Sequence, residues 1–403
     1  MESLKNIYHT VVDERLRDSF WALRTRGDAF VLSAVVRGAL DLRYPASSHE
    51  EHLKPAMDWL CAAQDHSEGG GVSAFYDARE ASWGPIYPET TGYIIPTFFD
   101  YAGFTGSETY RQRAYRMANY LLTIQLDNGA FPIGPLWADW ERVPIVFDTG
   151  QIIHGLVRAF EETSRSDFLA SAQRAGDWLV EIQDQDGCWR KHTSLGHIHT
   201  FNARTAWALL RLYEVSRQEV YRSAAIRNLE WSLTQQDSDG WFRNAGFTPQ
   251  EDPLTHTIAY TIEGLLESGV LLNNETIIKA ARLAADALCI TQNKDGYLKG
   301  RYGPGWRSSV KWSCLTGNAQ MAIIWLRLYQ MTGDKSYLEA GIAANSFVKQ
   351  TQPRRSEQPG IAGGIAGSFP IYGGYEPYRN LNWAVKFFAD SLLLEKQVSP
   401  DGV

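Results

Sequence analysis

The sequence predicts an all-α fold, an (α/α)6 toroid in which six helix hairpins close into two concentric rings. Three observations predict it: a motif that recurs at a nearly constant interval, a helix-length amphipathic run before each copy of the motif, and a more apolar helix after it. Six outer and six inner helices that alternate along a chain close most simply into a ring. The loops and first turns of the inner helices then surround one open end, which we call the mouth.

The recurring motif is Gln-x-x-x-Gly. Successive well-formed copies start 58, 53 and 56 residues apart, and a looser first copy precedes them by 61 residues. A sixth copy, expected after Gln350, is obscured by a stretch rich in Gly and Pro. The first five copies start at Gln64, Gln125, Gln183, Gln236 and Gln292.

Each copy follows a run with a period near 3.6 that is rich in Ala, Leu and Arg and has one polar face. The glycine of the motif then supplies the left-handed residue that commonly ends a helix. These runs predict outer helices at about 50–65, 108–125, 166–183, 219–236, 275–292 and 335–350.

After each motif comes a loop with aromatic and polar residues, followed by a helix that has no continuous polar face. Helices that are buried on all sides have this composition. These apolar segments predict inner helices over 89–103, 147–162, 201–215, 255–269, 315–330 and 380–395.

The chain divides into two parts on this pattern. Residues 1–48 precede the repeat and are expected to form a helical extension that packs on the outside of the toroid. Residues 49–403 form the toroid itself, which we expect to be the catalytic domain.

Composition excludes several classes of function. A net charge of -7 provides no general attraction to phosphate backbones or anionic lipid, so nucleic acid is not an expected partner. No stretch approaches the roughly 18 apolar residues of a spanning helix, and the charged N-terminus does not read as a signal peptide. Neither membrane insertion nor secretion is expected, and we predict a cytoplasmic protein. Its four separated cysteines are expected to be free thiols.

The motif endings carry a resemblance to known families. QDQDGCW, from Gln183, has the form Q-x-x-x-G-x-W, which resembles the repeats of squalene-cyclase-like and prenyltransferase-like toroids. The inner-helix segments are similar to a bacterial six-hairpin family, usually described as squalene-cyclase-like, that occurs with polysaccharide assembly. Glucuronyl C5-epimerases and unsaturated-glucuronyl hydrolases are more distantly similar. The resemblance implies a toroid of the terpenoid-cyclase and six-hairpin-glycosidase type and possible association with polysaccharide-assembly enzymes.

Motifs of the better known toroids are incomplete here. Class II terpenoid cyclases use an acidic DxDD, whereas this chain has only FDTG at Asp148. Zinc-dependent toroids use a set of Cys, His and Asp ligands, whereas Cys314 stands alone at the start of an inner helix. No metal and no other cofactor is therefore expected.

Titratable and aromatic residues concentrate at the predicted mouth, where they could reach one ligand. The expected catalytic residues are Glu89, Asp148, His199, His256, Tyr260 and Tyr302. The expected substrate-binding residues are Trp83, Asn202, Arg204, Arg307, Lys311, Trp312, Gln320, Tyr375, Tyr378 and Asn382.

Several of these residues allow two interpretations. Asp148 and Glu89 could be general acids or bases whose pKa burial raises, or helix N-caps. His197, His199 and His256 could bind a metal, contact substrate or serve the scaffold. Arg204, Arg307 and Lys311 together suggest an anionic ligand, although surface solvation or ion pairing would explain them equally.

Tyrosines and a glycine-rich segment complete the expected mouth. Tyr302 and Tyr375 could donate protons or stack on a sugar, and as structural loop aromatics they would look the same. The glycine-rich segment 360–375 is expected to be a mobile flap over the site.

The functional hypothesis is a carbohydrate-active enzyme with an acidic, uronate-containing saccharide as substrate, and C5 epimerisation as the favoured reaction. That reaction needs a base, a proton donor on the opposite face and a cation for the carboxylate. Alternatives are a glycoside hydrolase or polysaccharide lyase on the same substrates, and a glycan-binding toroid without catalysis. A terpenoid-cyclase-like enzyme with Asp148 as its acid is a further alternative, which the polar mouth disfavours.

Overall fold

A computed structural model describes residues 30–137, 141–358 and 360–399 of the protein. This part contains thirteen α-helices. Helix α1 (Phe30–Ala39) precedes the repeat. The outer helices are α2 (His49–Asp65), α4 (Glu108–Ile124), α6 (Ser166–Glu181), α8 (Glu219–Leu233), α10 (Glu275–Thr291) and α12 (Lys335–Lys349). The inner helices are α3 (Pro88–Thr105), α5 (Val146–Thr163), α7 (Ala203–Ser216), α9 (Thr255–Leu272), α11 (Leu315–Thr332) and α13 (Asn382–Val398).

The inner helices form a closed ring. Each packs on the next along the chain, from α3 to α13, and α13 returns to contact α3. Each of the first five inner helices also packs on the outer helix that follows it, while α13 packs on the first outer helix, α2. The predicted (α/α)6 toroid is thereby confirmed, and the ring closes by pairing its last inner helix with its first outer helix.

The Gln-x-x-x-Gly motif joins consecutive outer helices. The Gln183 amide donates to the carbonyl of Gly187 in its own turn (3.0 Å) and to that of Ala224 in the next outer helix (2.9 Å). Gly187 has a φ of +86°, and a Cβ there would lie 2.3 Å from the Arg227 carbonyl oxygen. Gln64, Gln125, Gln236 and Gln292 donate in the same two directions. The repeat in the sequence is therefore a repeated hydrogen-bonded bridge between neighbouring hairpins.

The sixth copy, which the sequence obscured, is built by Gln352 and Gly363. The Gln352 amide donates to the Gly363 carbonyl (2.9 Å) and to the His52 carbonyl in α2 (3.3 Å). Gly363 has a φ of +81°, and a Cβ there would lie 2.0 Å from the Pro55 carbonyl oxygen. The motif thus also closes the ring, because its last copy bridges the last outer helix to the first.

Extended structure among the described residues is limited to short ribbons in the loops at the mouth. One sheet has the order β2 (Ser82–Trp83), β1 (Phe75–Asp77), β5 (Arg379–Leu381), and all its strands are antiparallel. The other pairs β3 (Ser313–Cys314) with β4 (Ser368–Phe369). The first sheet joins the loop before α3 to the loop before α13, and so ties the two ends of the toroid together at the mouth.

Two predicted peripheral features have different outcomes. In the glycine-rich segment, Ile361 and Ile365 are fully buried in the core and Gly363 packs on α2, so this part of the predicted flap closes the ring instead of covering the site. Of the predicted N-terminal extension, residues 1–29 lie outside the described residues. We propose residue 49 as the start of the toroid.

No described helix has the length and apolar character needed to cross a membrane.

Candidate active site

A cavity of about 300 Å³ opens at the end of the toroid where the inner helices begin. Residues from the first turns of α3, α5 and α9 and from the loops around them form its wall. Aromatic rings are prominent in this wall, and its polar groups include carboxyl groups, hydroxyls, an imidazole and a guanidinium. The residues that line the cavity include Phe75, Tyr87, Glu89, Tyr93, Phe147, Asp148, Phe201, Phe247, His256, Tyr260, Tyr375, Glu376, Arg379 and Trp383.

Glu89 and Asp148 form a buried carboxyl pair in this wall. Burial raises the pKa of Glu89 to about 7, and burial together with the charge of Glu89 raises the pKa of Asp148 well above its ordinary value. Their mutual hydrogen bond lowers the pKa of Glu89 and raises that of Asp148, as expected if Asp148 donates. As the pH rises through about 7, Glu89 loses its proton while Asp148 keeps its own.

Helix starts place both carboxyls at the cavity. Pro88 begins α3 and Glu89 follows it, whereas Asp148 is the third residue of α5. Neither is an N-cap, because Tyr87 and Ile145 hold those positions. The interpretation of these two carboxyls as caps is therefore wrong.

Asp148 has an additional backbone partner in the cavity wall. The backbone N–H of Gly134 donates to its Oδ2 at 3.0 Å. That bond lowers the pKa of Asp148 and opposes the effect of burial.

Tyrosines surround the pair. Tyr87 hydrogen-bonds to Glu89, and the hydroxyls of Tyr260 and Tyr93 lie 3.4 Å apart. Burial raises the pKa of all three phenols well above the usual value, so they stay protonated and can donate hydrogen bonds.

His256 lies in the same wall as a neutral imidazole. Its Nδ1 is 2.7 Å from the Oε1 of Gln320, and its ring centroid is 4.3 Å from that of Tyr260. Burial lowers its pKa to about 4. Gln320 is predicted to bind the substrate directly. In the structure it is fully buried and holds the imidazole of His256, so it acts on the site only through that ring.

Arg204 begins the neighbouring inner helix α7, but its guanidinium is engaged internally. Its side chain is 2% exposed and ion-pairs with Glu263 from α9, and Nε donates to Gln151 at 2.9 Å. The guanidinium also lies 4.9 Å from the centroid of the Tyr260 ring. A cation neutralised in this way has no free fork for a substrate carboxylate.

Arg379 is the one Lys or Arg among the described residues of the cavity wall, and it too is paired. Its Nε donates to Asp77 at 3.3 Å and its NH1 to Glu376 at 2.8 Å. The described cavity wall therefore carries no unpaired cation.

Two predicted catalytic residues lie away from the cavity wall. His199 is buried, and its two ring nitrogens face the carbonyl oxygens of Gly246 (3.0 Å) and Ser194 (2.8 Å). The Tyr302 hydroxyl accepts from the Lys299 backbone at 3.0 Å and is 2% exposed. Both side chains support loops in this structure.

The remaining predicted binding residues lie in different parts of the structure. Tyr375 lines the cavity, whereas Asn202 and Asn382 are buried at the helix starts, and Asn382 bonds to the Ser73 carbonyl at 2.9 Å. Trp83 packs on the ring of Trp59, and Tyr378 is buried against Arg79. Arg307 is exposed, and Lys311 and Trp312 line a separate cleft.

Sequence reasoning missed most of the aromatic wall. Phe147 directly precedes Asp148, and Tyr93 stands one helical turn after Glu89, so helical spacing from each carboxylate could have identified them. Phe75, Phe201, Phe247 and Trp383 come from segments that are distant in the sequence, and no local pattern marks them. Among the described residues no group of three His, Cys, Asp or Glu side chains is arranged to hold a metal ion.

Solved structures share this fold. An unsaturated glucuronyl hydrolase from a Bacillus species superposes with a TM-score of 0.69 at 16% identity, over 87% of this chain and 98% of that one. A cellobiose 2-epimerase from Bacillus thermoamylovorans superposes with a TM-score of 0.66 at 15% identity, over 85% and 97%. At these identities the likeness shows the toroid alone.

Sequence comparison identifies a similar protein and a matching family. A squalene–hopene cyclase from Zymomonas mobilis is 26% identical over 254 residues, which cover 57% of this chain and 36% of that enzyme. The match thus spans about a third of the length of this curated relative. The family described as squalene-hopene cyclase C-terminal domain matches residues 27–266, more than half of the 403 residues. The chain belongs to the squalene-hopene cyclase C-terminal domain family.

Proposed function

We propose that this protein is a carbohydrate-active enzyme that adds water to an unsaturated saccharide, with the Asp148–Glu89 pair as its proton donor and base. The observation that carries the proposal is a pair of buried carboxyl groups, hydrogen-bonded to each other and with pKa values raised by burial, in a cavity lined by aromatic rings. Aromatic faces bind the apolar faces of sugars, and the tyrosine hydroxyls can bond to sugar hydroxyls. The names of the unsaturated glucuronyl hydrolase and the cellobiose 2-epimerase support a saccharide as the ligand class.

The closeness of the two carboxyls favours this reaction over ordinary glycoside hydrolysis. Acid and base on opposite sides of a glycosidic bond are ~5–9.5 Å apart. Carboxyls that share a hydrogen bond act from one side of the substrate. In the proposed step, the Asp148 proton adds to one carbon of a double bond, water adds to the other carbon, and Glu89 accepts the proton that the water releases.

Epimerisation at C5 has weaker support. It requires a base and a donor on opposite faces and a cation that neutralises the uronate carboxylate. Arg204 and Arg379 are both neutralised by carboxylates, on the part of the chain that the structure describes. Proton abstraction at C5 builds negative charge on the uronate carboxylate and so depends on such a cation, whereas protonation of a double bond does not.

A second candidate is protonation of an isoprenoid alkene. Family membership and the rings of Phe147 and Tyr260 beside Asp148, 5.0 Å apart by centroid, favour it, because aromatic faces stabilise carbocations. Both candidates assign the same proton to Asp148, so the substrate and not the acid distinguishes them.

The test uses unsaturated disaccharides made by polysaccharide lyases, with squalene in parallel. We expect loss of the ultraviolet absorbance of the unsaturated sugar and, in deuterated water, one deuterium bonded to carbon in the product. Asp148→Asn should abolish both while the protein stays folded. Cyclised product from squalene would support the second candidate, and deuterium exchange into a saturated uronate polymer would support epimerisation. Turnover retained by Asp148→Asn would contradict the proposal.

A further inference from the structure

A second cleft, of about 510 Å³, lies at the same end of the toroid beside the candidate active site. The loop before α11, the turn after α10 and the end of α1 form it. Its wall includes Lys299, Lys311, Trp312 and Tyr372.

We propose that this cleft binds an anionic sugar residue of a saccharide that extends from the catalytic cavity. The proposal deepens the proposed function and rests on it for the identity of the ligand as a saccharide. Three observations support it. Two lysine ammonium groups have no acidic partner, glycines hold the indole of Trp312 in place, and one loop lines both the cleft and the cavity.

The charge of the cleft is positive in an acidic protein. Three cations and two carboxylates face it, and Arg43 is bonded to both carboxylates, Asp41 (2.9 Å) and Asp295 (3.5 Å). Among the described residues, neither Lys299 nor Lys311 has an acidic partner within ion-pair distance. Lys299 Nζ lies 4.7 Å from the centroid of the Tyr297 ring, a contact that leaves its charge without a counterion. Both ammoniums can therefore bind a carboxylate or sulfate group.

Trp312 is seated by glycines. A Cβ at Gly300 would lie 2.0 Å from its ring, and one at Gly374 would lie 2.9 Å from it. The backbone at both positions thus contacts the indole directly, which holds the ring in one place while it stays partly exposed to the cleft. A fixed, partly exposed indole is the side chain that stacks most readily on a sugar ring.

The loop after β4 connects the two sites. Tyr372, Gly373 and Gly374 line the cleft, whereas Tyr375 and Glu376, directly after them, line the cavity. A saccharide chain that leaves the cavity past Tyr375 reaches the cleft within the length of this loop. This continuity favours an oligosaccharide over a separate small anion as the occupant.

The test measures binding of size-matched probes, oligogalacturonate hexamer and neutral maltohexaose, by calorimetry at low and high salt. Lys299→Gln/Lys311→Gln should weaken binding of the anionic hexamer about tenfold, and salt should weaken it in the parent protein. The matched control is Lys279→Gln/Lys335→Gln, which removes two exposed charges from outer helices α10 and α12 and should leave binding unchanged. Trp312→Phe should weaken binding of both hexamers.

Two results separate this inference from the proposed function. Lys299→Gln/Lys311→Gln should weaken binding of the anionic hexamer by the same factor in the Asp148→Asn protein, even if turnover is lost, because the cleft does not include the carboxyl pair. Equal affinity of the Lys299→Gln/Lys311→Gln protein and the parent, with unchanged melting temperature, would overturn the cleft proposal and leave the chemistry at Asp148 untouched. Equal loss in the control pair would also overturn it, because the effect would then be one of net charge.

Discussion

Asp148 and Glu89 share a hydrogen bond although they stand in the first turns of different inner helices, α5 and α3. Each helix start brings one carboxyl to the cavity, and the close packing of α3 on α5 brings the two together. Gly92 and Gly155 lie on the contacting faces of these helices, where a Cβ at Gly155 would lie 2.2 Å from the Gly92 carbonyl oxygen. The proton-sharing pair is thus a product of helix packing.

The pair predicts a bell-shaped dependence of turnover on pH. Glu89 should act as base only after it loses its proton, with a pKa of about 7, whereas Asp148 should act as acid only while it keeps its proton, with a higher pKa. Turnover should rise through neutral pH and fall at higher pH, where Asp148 loses its proton. Initial rates across pH check this, and Glu89→Gln should remove the rising limb. A rate that is highest below pH of about 5 would contradict the assignment.

Asp148→Asn should stabilise the protein at alkaline pH. A carboxyl with a raised pKa in the folded state stabilises it at acidic pH, and that contribution is lost as pH rises through the folded-state value. Asparagine carries no charge to desolvate, so the variant should gain ~0.5–2 kcal/mol of unfolding free energy above neutral pH. Urea unfolding at acidic and alkaline pH measures this. A variant that is less stable at alkaline pH would show that the carboxylate serves the scaffold.

Arg204→Ala should destabilise the protein strongly. Its partner Glu263 is 9% exposed, and removing one member of a buried pair costs ~3–5 kcal/mol because a lone charge stays behind. Arg204→Met/Glu263→Leu should recover most of this loss. Arg165→Ala is the matched control, since Arg165 and Asp167 are 43% and 50% exposed and the change should cost ~0–1 kcal/mol. If Arg204→Ala is fully stable but binds anions more weakly, Arg204 contacts the substrate and its structural role is contradicted.

His256 should stay neutral over the whole physiological range. Its pKa is lowered to about 4 by burial, against an ordinary value of 6.5. Nuclear magnetic resonance of the imidazole should show no titration between pH of about 5 and 8. Acidification from 6.5 towards 4 should also lower the unfolding free energy, because the unfolded histidine takes up its proton first. Titration of His256 near 6.5 would mean that the cavity admits water freely.

Gly155→Ala should separate α3 from α5. The added Cβ meets backbone, which cannot rotate away, so we expect a loss of ~1–3 kcal/mol and disturbance of the carboxyl pair. Gly103→Ala is the control within α3, because a Cβ there meets nothing within 4 Å and alanine should gain ~0.5–1 kcal/mol. Melting temperatures of both variants test this, and equal effects would contradict the role of the close contact.

The sequence by itself determined the architecture. The Gln-x-x-x-Gly interval and the two kinds of helix are local patterns, and each reports a contact made within one hairpin or between neighbours. Glu89, Asp148, His256, Tyr260 and Tyr375 were found at the cavity because helix starts gather at one end of any such toroid. The cytoplasmic location and the association with polysaccharide assembly stay predictions.

Tertiary structure alone decided which of these groups are free to act. Arg204 and His199 occupy the same kind of position as Asp148, yet one is neutralised by Glu263 and the other is held by two backbone carbonyls. Partners from other hairpins make these bonds, and a pattern along one chain segment carries no information about them. The same holds for Lys311 and Trp312, which the fold of the loop before α11 turns into a cleft of their own. The chemistry at the mouth of the toroid depends on hydrogen bonds and ion pairs between residues of different hairpins. These contacts form only when the ring closes.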